Sequence, residues 1–142
     1  MDKVTIKFRQ PTVNEYSYLR ELVGWGVPVK EATEVSIEQS LFSVCLEREG
    51  EIIGLGRIVG DGGLYFYVQD IIVKPEYRGL GYSRIIMGEV MKFIKVNAKK
   101  GSFVGLFAAK GTEGFYEKYG FVIRPNETFG AGMFYPIEKI IE

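Results

Sequence analysis

The chain has 142 residues, 46% of them hydrophobic and 25% charged, with 18 basic side chains set against 18 acidic ones and no histidine. That size and apolar content exclude a disordered chain and suit a single compact domain, residues 1–142, that buries a core without staples. Zero net charge argues against a nucleic-acid partner, and the missing histidine removes Ser-His-Asp and Cys-His hydrolases and the usual zinc sites, so no metal is expected.

In chain order, Met1 to Lys7 alternates like a strand and lacks the apolar stretch of a signal peptide, with the first strand expected at Thr5 to Phe8. A helix follows over Pro11 to Leu22, with Thr12 or Asn14 as cap and Tyr18, Leu19 and Leu22 as its apolar stripe. Val23 to Pro28 is a loop punctuated by glycine and proline, and a short second helix is expected at Ser36 to Ser40.

Phe42 to Glu47 and Glu51 to Val59 read as strands joined through Gly50. The lone Cys45 has no disulfide partner, which suits a reducing compartment, and within its apolar run it reads as a small core hydrophobe. Gly54 and Gly56 inside the second strand suggest a bulge or a close approach of backbone. Asp61-Gly62-Gly63 turns that strand into the next, Leu64 to Val73.

After Val73 the chain reads Lys-Pro-Glu-Tyr-Arg-Gly-Leu-Gly-Tyr-Ser, then a helix with Ile86, Val90, Phe93 and Ile94 on one face. A strand, a glycine-rich turn and a helix start make an anion site, because the first helical amides have no intrahelical acceptor. Gly79 and Gly81 let backbone approach a ligand, and a pyrophosphate fits that description. The dinucleotide fingerprint fails, since Arg84 stands where its third glycine belongs, and no Gly-Lys-Ser/Thr closes a nucleotide loop. An ordinary strand-to-helix turn is the plain alternative.

Further on, Phe103 to Ala108 reads as a buried strand and Gly114 to Phe121 as a short helix ended by Gly120. Final strands are expected near Val122 and at Met133 to Pro136, with Pro125 to Gly132 as a loop. No apolar run approaches the ~20 residues that span a bilayer, so no membrane partner is expected and the protein reads as soluble and cytoplasmic.

Arg78-x-x-Gly81-x-Ser83 resembles the acyl-CoA loop of the GNAT superfamily of N-acetyltransferases, with Ser83 in place of a final glycine or alanine. Gly114-Phe-Tyr-Glu-Lys-Tyr-Gly-Phe121 resembles that family's second signature. The resemblance implies an α/β fold with a mixed central sheet of about six to seven strands, splayed open after the fourth and flanked by about four helices. It also implies acetyl-CoA as cofactor and CoA as product. Backbone at Ile71, Ile72 and Val73 would pair with the pantetheine arm, and Arg78, Gly79, Leu80, Gly81, Tyr82 and Ser83 would hold the pyrophosphate.

Tyr116 is then the expected acid near the sulfur. Protonating a thiolate (pKa ~8.5) from a phenol (pKa ~10) is uphill by only ~2 kcal/mol. Where many relatives carry a glutamate base, this chain has Gln69 and Tyr67, so a water relay is expected, oriented by one of them. Neighbouring Asp70 is placed on the opposite strand face from Gln69, where a hydrogen-bonded structural carboxylate and a catalytic one are both open readings. A weak base favours an α-amine (pKa ~8) over a lysine-type amine (pKa ~10.4).

The acceptor pocket is expected from Trp25, Tyr65, Tyr67, Gln69, Met133 and Phe134, whose aromatic lining suits an amino acid, an arylalkylamine or a peptide end. The partner is thus a small-molecule amine, and a homodimer is the default assembly. The alternatives are protein N-terminal acetylation, a non-catalytic acyl-CoA sensor, and a peptide- or protein-binding module carrying a chance likeness.

Overall fold

A computed structural model describes residues 3–139. The chain divides into two compact units, Met1–Leu106 and Phe107–Glu142. The first holds β1 (Val4–Lys7), α1 (Val13–Leu22), α2 (Lys30–Glu38), β2 (Phe42–Arg48), β3 (Glu51–Gly60), β4 (Tyr65–Val73), α3 (Tyr82–Asn97) and β5 (Phe103–Gly105). The strands lie in the order β1-β2-β3-β4-β5, antiparallel except for the parallel pair β4–β5.

Local chemistry accounts for most boundaries. The Thr12 hydroxyl accepts from the Glu15 amide at 3.1 Å while the Glu15 carboxylate accepts from the Thr12 amide at 2.9 Å, a reciprocal cap that starts α1. Arg9 clamps the same carboxylate at 2.8 and 2.9 Å and holds it below its ordinary pKa. Glu49 (φ 52°) and Gly50 (φ 77°) form the tight β2–β3 turn, whose left-handed pair matches the twist of the strands. Asp61 Oδ1 accepts from the amides of Gly63, Leu64 and Tyr65, each at 2.9 Å, and so builds the β3–β4 turn. The second helix begins at Lys30, earlier than the expected Ser36, with Thr33 and Ile37 as its buried side and Lys30 paired to Glu34.

The sheet is covered on both faces. Against one, α3 buries Ile86, Met87, Val90 and Ile94. Gly56 is the device that lets it sit close, because a Cβ there would collide with Ile86 Cγ2. This is the close backbone approach that the glycines of β3 suggested. Against the other face, Tyr16 and Leu19 of α1 and Ile37 of α2 pack with Cys45, Ile52, Leu55 and Ile72. Burial pushes the Cys45 thiol up to about 12, as expected of a core residue and unlike a nucleophile.

β4 departs from regular alternation. Leu55 faces Ile72 and Arg57 faces Gln69, so two steps along β3 oppose three along β4. The extra residue is taken up at Asp70, whose φ is 59°. The expectation that Asp70 and Gln69 lie on opposite faces is therefore corrected, since the bulge turns both side chains to one side and they touch. The ladder to β5 spans only Tyr65–Tyr67, so the sheet opens beyond the fourth strand from Val68 onward.

In the second unit, Thr112 precedes α4 (Glu113–Glu117), and Gly120 ends the turn at φ 94°, as its position suggested. Phe115, Tyr116, Tyr119 and Phe121 form a cluster of edge-to-face rings, with centroids 5.1 to 6.2 Å apart. The strands expected near Val122 and at Met133 to Pro136 are absent among the described residues, and β5 stops at Gly105, short of the expected Ala108. Apolar runs make a strand only where a neighbour supplies the ladder, and no ladder is formed there among the described residues. The described sheet has five strands instead of six to seven, while the four helices match. No helix among the described residues is long and apolar enough to cross a membrane.

Candidate active site

The β4–α3 connection has the form that the sequence implied. Pro75–Tyr77 makes one tight turn, after which Gly79 (φ 76°) and Gly81 (φ 88°) take left-handed conformations that favour glycine. A Cβ at either would meet nothing within 4 Å, so the loop backbone faces open space. Gly81 caps α3 and brings no side chain to its amides, and the first turn holds no acidic residue. The positive end of a 16-residue helix is thereby left available to an external anion, with Arg78 exposed beside it. These residues fit the diphosphate of an acyl-CoA. Directly upstream, β4 carries Ile71, Ile72 and Val73 beyond the end of the β5 ladder, where an extended ligand arm has a strand edge to pair with.

A network of polar groups lies beneath the bulge, and it was not foreseen. Asp70 is 3% exposed, yet four donors converge on its carboxylate. They are the Tyr16 hydroxyl at 2.6 Å, Arg57 Nε at 3.0 Å, Gln69 Nε2 at 3.2 Å and Arg20 Nη1 at 3.3 Å. Arg57, 2% exposed, is held from its other side by Ser36 O, Ser36 Oγ and Ser40 Oγ. Arg20 continues to the loop after α1, donating to Trp25 O and Gly26 O at 3.0 Å each. The Tyr16 phenol is raised above its ordinary pKa by burial and then by the Asp70 charge. Trp25 is therefore linked through Arg20 and Asp70 to Gln69.

The other candidates distribute unevenly. Tyr67 lies on β4 with Gln69, half-buried, whereas Tyr65 sits at the strand's start, exposed, with its ring 6.5 Å from that of Phe103. From Tyr65 to Gln69 is about 13 Å along an extended strand. Tyr116, Met133 and Phe134 belong to the second unit. Tyr116 packs edge-on to Phe115 and Phe121, and burial raises its phenol above the ordinary value, which keeps it protonated through the neutral range. Met133 and Phe134 are among the most exposed large side chains, at 87% and 79%.

One signal in the sequence pointed to the missed network. Arg57 interrupts an apolar strand and Asp70 interrupts the next, and a charge buried in a sheet needs a partner of opposite sign.

Comparison with known proteins agrees with this fold. The family model for the acetyltransferase (GNAT) domain matches residues 39–123. A probable acetyltransferase from meticillin-resistant Staphylococcus aureus, itself of unknown function, is 34% identical in sequence. It superposes with a TM-score of 0.86 over 94% of this chain and 99% of that one. The uncharacterized N-acetyltransferase ycf52 of Porphyra purpurea is 25% identical over 120 residues, 82% of this chain and 68% of that protein. The chloroplastic serotonin N-acetyltransferase 2 of Oryza sativa is 29% identical over 91 residues, 64% of this chain and 44% of that protein.

Proposed function

The chain belongs to the GNAT acetyltransferase family, and from that premise we propose that it transfers the acetyl group of acetyl-CoA to a primary amine of a small molecule. The observation that carries the reading is the α3 start without a side-chain cap, with open backbone at Gly79 and Gly81, following a β4 edge without a β5 neighbour. The amides and side chains from Arg78 to Ser83 hold the diphosphate, and the Ile71–Val73 backbone takes the extended arm. Bound there, acetyl-CoA supplies an activated acetyl thioester. A backbone N–H of the same β4 segment serves as the donor toward the thioester oxygen.

Tyr116 Oη is assigned as the proton donor to sulfur: the phenol is protonated where acetylation runs, and burial, by raising its pKa, makes the transfer to the thiolate more uphill than from an ordinary phenol. Gln69 and Tyr67 orient the amine or a water, since neither is a base at neutral pH. The acceptor is an α-amino acid, an arylalkylamine or a peptide-like amine. Likeness to a serotonin N-acetyltransferase supports the arylalkylamine class, and the half-buried Tyr67 and the loop carrying Trp25 offer apolar lining in the first unit. A homodimer and a cytoplasmic location belong to the same proposal.

The test is mass-spectrometric detection of N-acetylated product after incubation with acetyl-CoA and a panel of α-amines, arylethylamines and ε-amines. Product from α-amines or arylethylamines supports the reading. Strong preference for the ε-amine sinks the weak-base argument, and no product with any amine removes small-molecule transfer altogether.

A further inference from the structure

We infer that Asp70 is a positioning residue that fixes the side-chain amide of Gln69 with its oxygen turned toward the amine acceptor. The inference rests on the acetyl-transfer reading above and assigns the group that receives the amine's N–H. A regular strand would send the two side chains to opposite faces. Here the bulge brings them together, and Gln69 Nε2 donates to Asp70 Oδ1 at 3.2 Å. A carboxylate already receiving Arg57 Nε, Arg20 Nη1 and the Tyr16 hydroxyl acts as an acceptor only. It must therefore face the amide nitrogen, and that choice leaves Gln69 Oε1 turned away from Asp70.

The cost of the arrangement argues for a use. A left-handed backbone is adopted less readily by a residue with a Cβ than by glycine, and a buried ion pair adds little stability over apolar packing. Both persist at Asp70 because α1 sends Tyr16 and Arg20 and β3 sends Arg57 to its carboxylate, while Ser36 of α2 and Ser40 just after that helix hold Arg57 in place. Such over-determined strain marks functional positions more than structural ones. A primary amine carries N–H groups that need an acceptor while its lone pair faces the reacting carbon, and a fixed amide oxygen accepts one without removing the proton.

Asp70→Asn tests the orientation, because it keeps an oxygen for Arg57 and Tyr16 but presents an NH2 to Gln69. The Gln69 amide then turns over and shows a donor to the amine. Expected is a fall of about tenfold or more in kcat/KM for the amine, with the Kd of CoA unchanged. Adding Gln69→Glu to Asp70→Asn restores an acceptor on that side chain and recovers most of the loss. In the wild-type chain, the nitrogen–proton NMR signal of the Gln69 NH2 group is expected downfield of an exposed glutamine, which tests the contact even if the variants fold poorly. An unshifted signal overturns the inference. So does an unchanged amine kcat/KM in Asp70→Asn, or equal loss in single and double variants, as a purely structural role requires. In these cases acetyl transfer stands. Absence of N-acetylated product from the wild-type chain overturns both.

Discussion

The Tyr16 hydroxyl donates to Asp70 Oδ2 at 2.6 Å, joining α1 to the bulge of β4 across 54 positions of sequence. Both residues are buried, at 4% and 3% exposure, so this bond works without competition from water. Tyr16→Phe removes the donor and leaves Arg57, Arg20 and Gln69 on the carboxylate. The expected loss is about 1.5–3 kcal/mol, read as a lowered Tm or denaturation midpoint. The Tyr16 pKa is raised on folding, so its contribution is complete below the unfolded phenol value of about 10 and is lost as pH rises through the folded value. The stability gap between wild type and Tyr16→Phe should therefore narrow above about pH 10. A gap that is absent, or that widens there, contradicts the account.

Gly81→Ala separates ligand binding from folding. The added methyl meets no protein atom within 4 Å, so only the left-handed backbone opposes it, by about 1–2 kcal/mol. The same methyl stands on the open side of the loop. The expected result is a native-like melting profile, lower by several degrees at most, and CoA binding weaker by about tenfold or more in titration calorimetry. Wild-type CoA affinity in this variant would place the diphosphate elsewhere.

Cys45 is expected to be inert. It is fully buried, its Sγ contacts Arg9 O at 3.4 Å, and burial lifts its pKa to about 12. Labelling by a chromogenic disulfide at neutral pH should be slower in the native chain than in denaturant by at least about a hundredfold, because the thiolate is the reacting form. Labelling at equal rates in the two conditions would show that the β2 core opens readily.

What was legible in the sequence was what ten or so neighbouring residues decide. Pro75, Gly79 and Gly81 announced the turn and the helix start by their backbone preferences alone. Ile86, Val90 and Ile94 announced the buried face of α3 by spacing. The bulge was hidden because it is a property of pairing. Only the register, with Leu55 on Ile72 and Arg57 on Gln69, reveals an extra residue in β4. Asp70 was accordingly given the wrong face and Tyr16, Arg20 and Arg57 went unnoticed. The strand expected at Met133 to Pro136 and absent there has a related cause, since an apolar run says nothing about whether a partner edge exists.

Acetyl transfer assisted by Tyr116 is tested most directly by the initial rate of thiol release from acetyl-CoA, with an arylethylamine or α-amine as acceptor, for wild type and Tyr116→Phe side by side. Amine-dependent release by wild type is predicted, with kcat lower by about tenfold or more in the variant and the KM for acetyl-CoA nearly unchanged. Equal rates in the two proteins would contradict the role of Tyr116, and no amine-dependent release from wild type would contradict the proposed transfer itself.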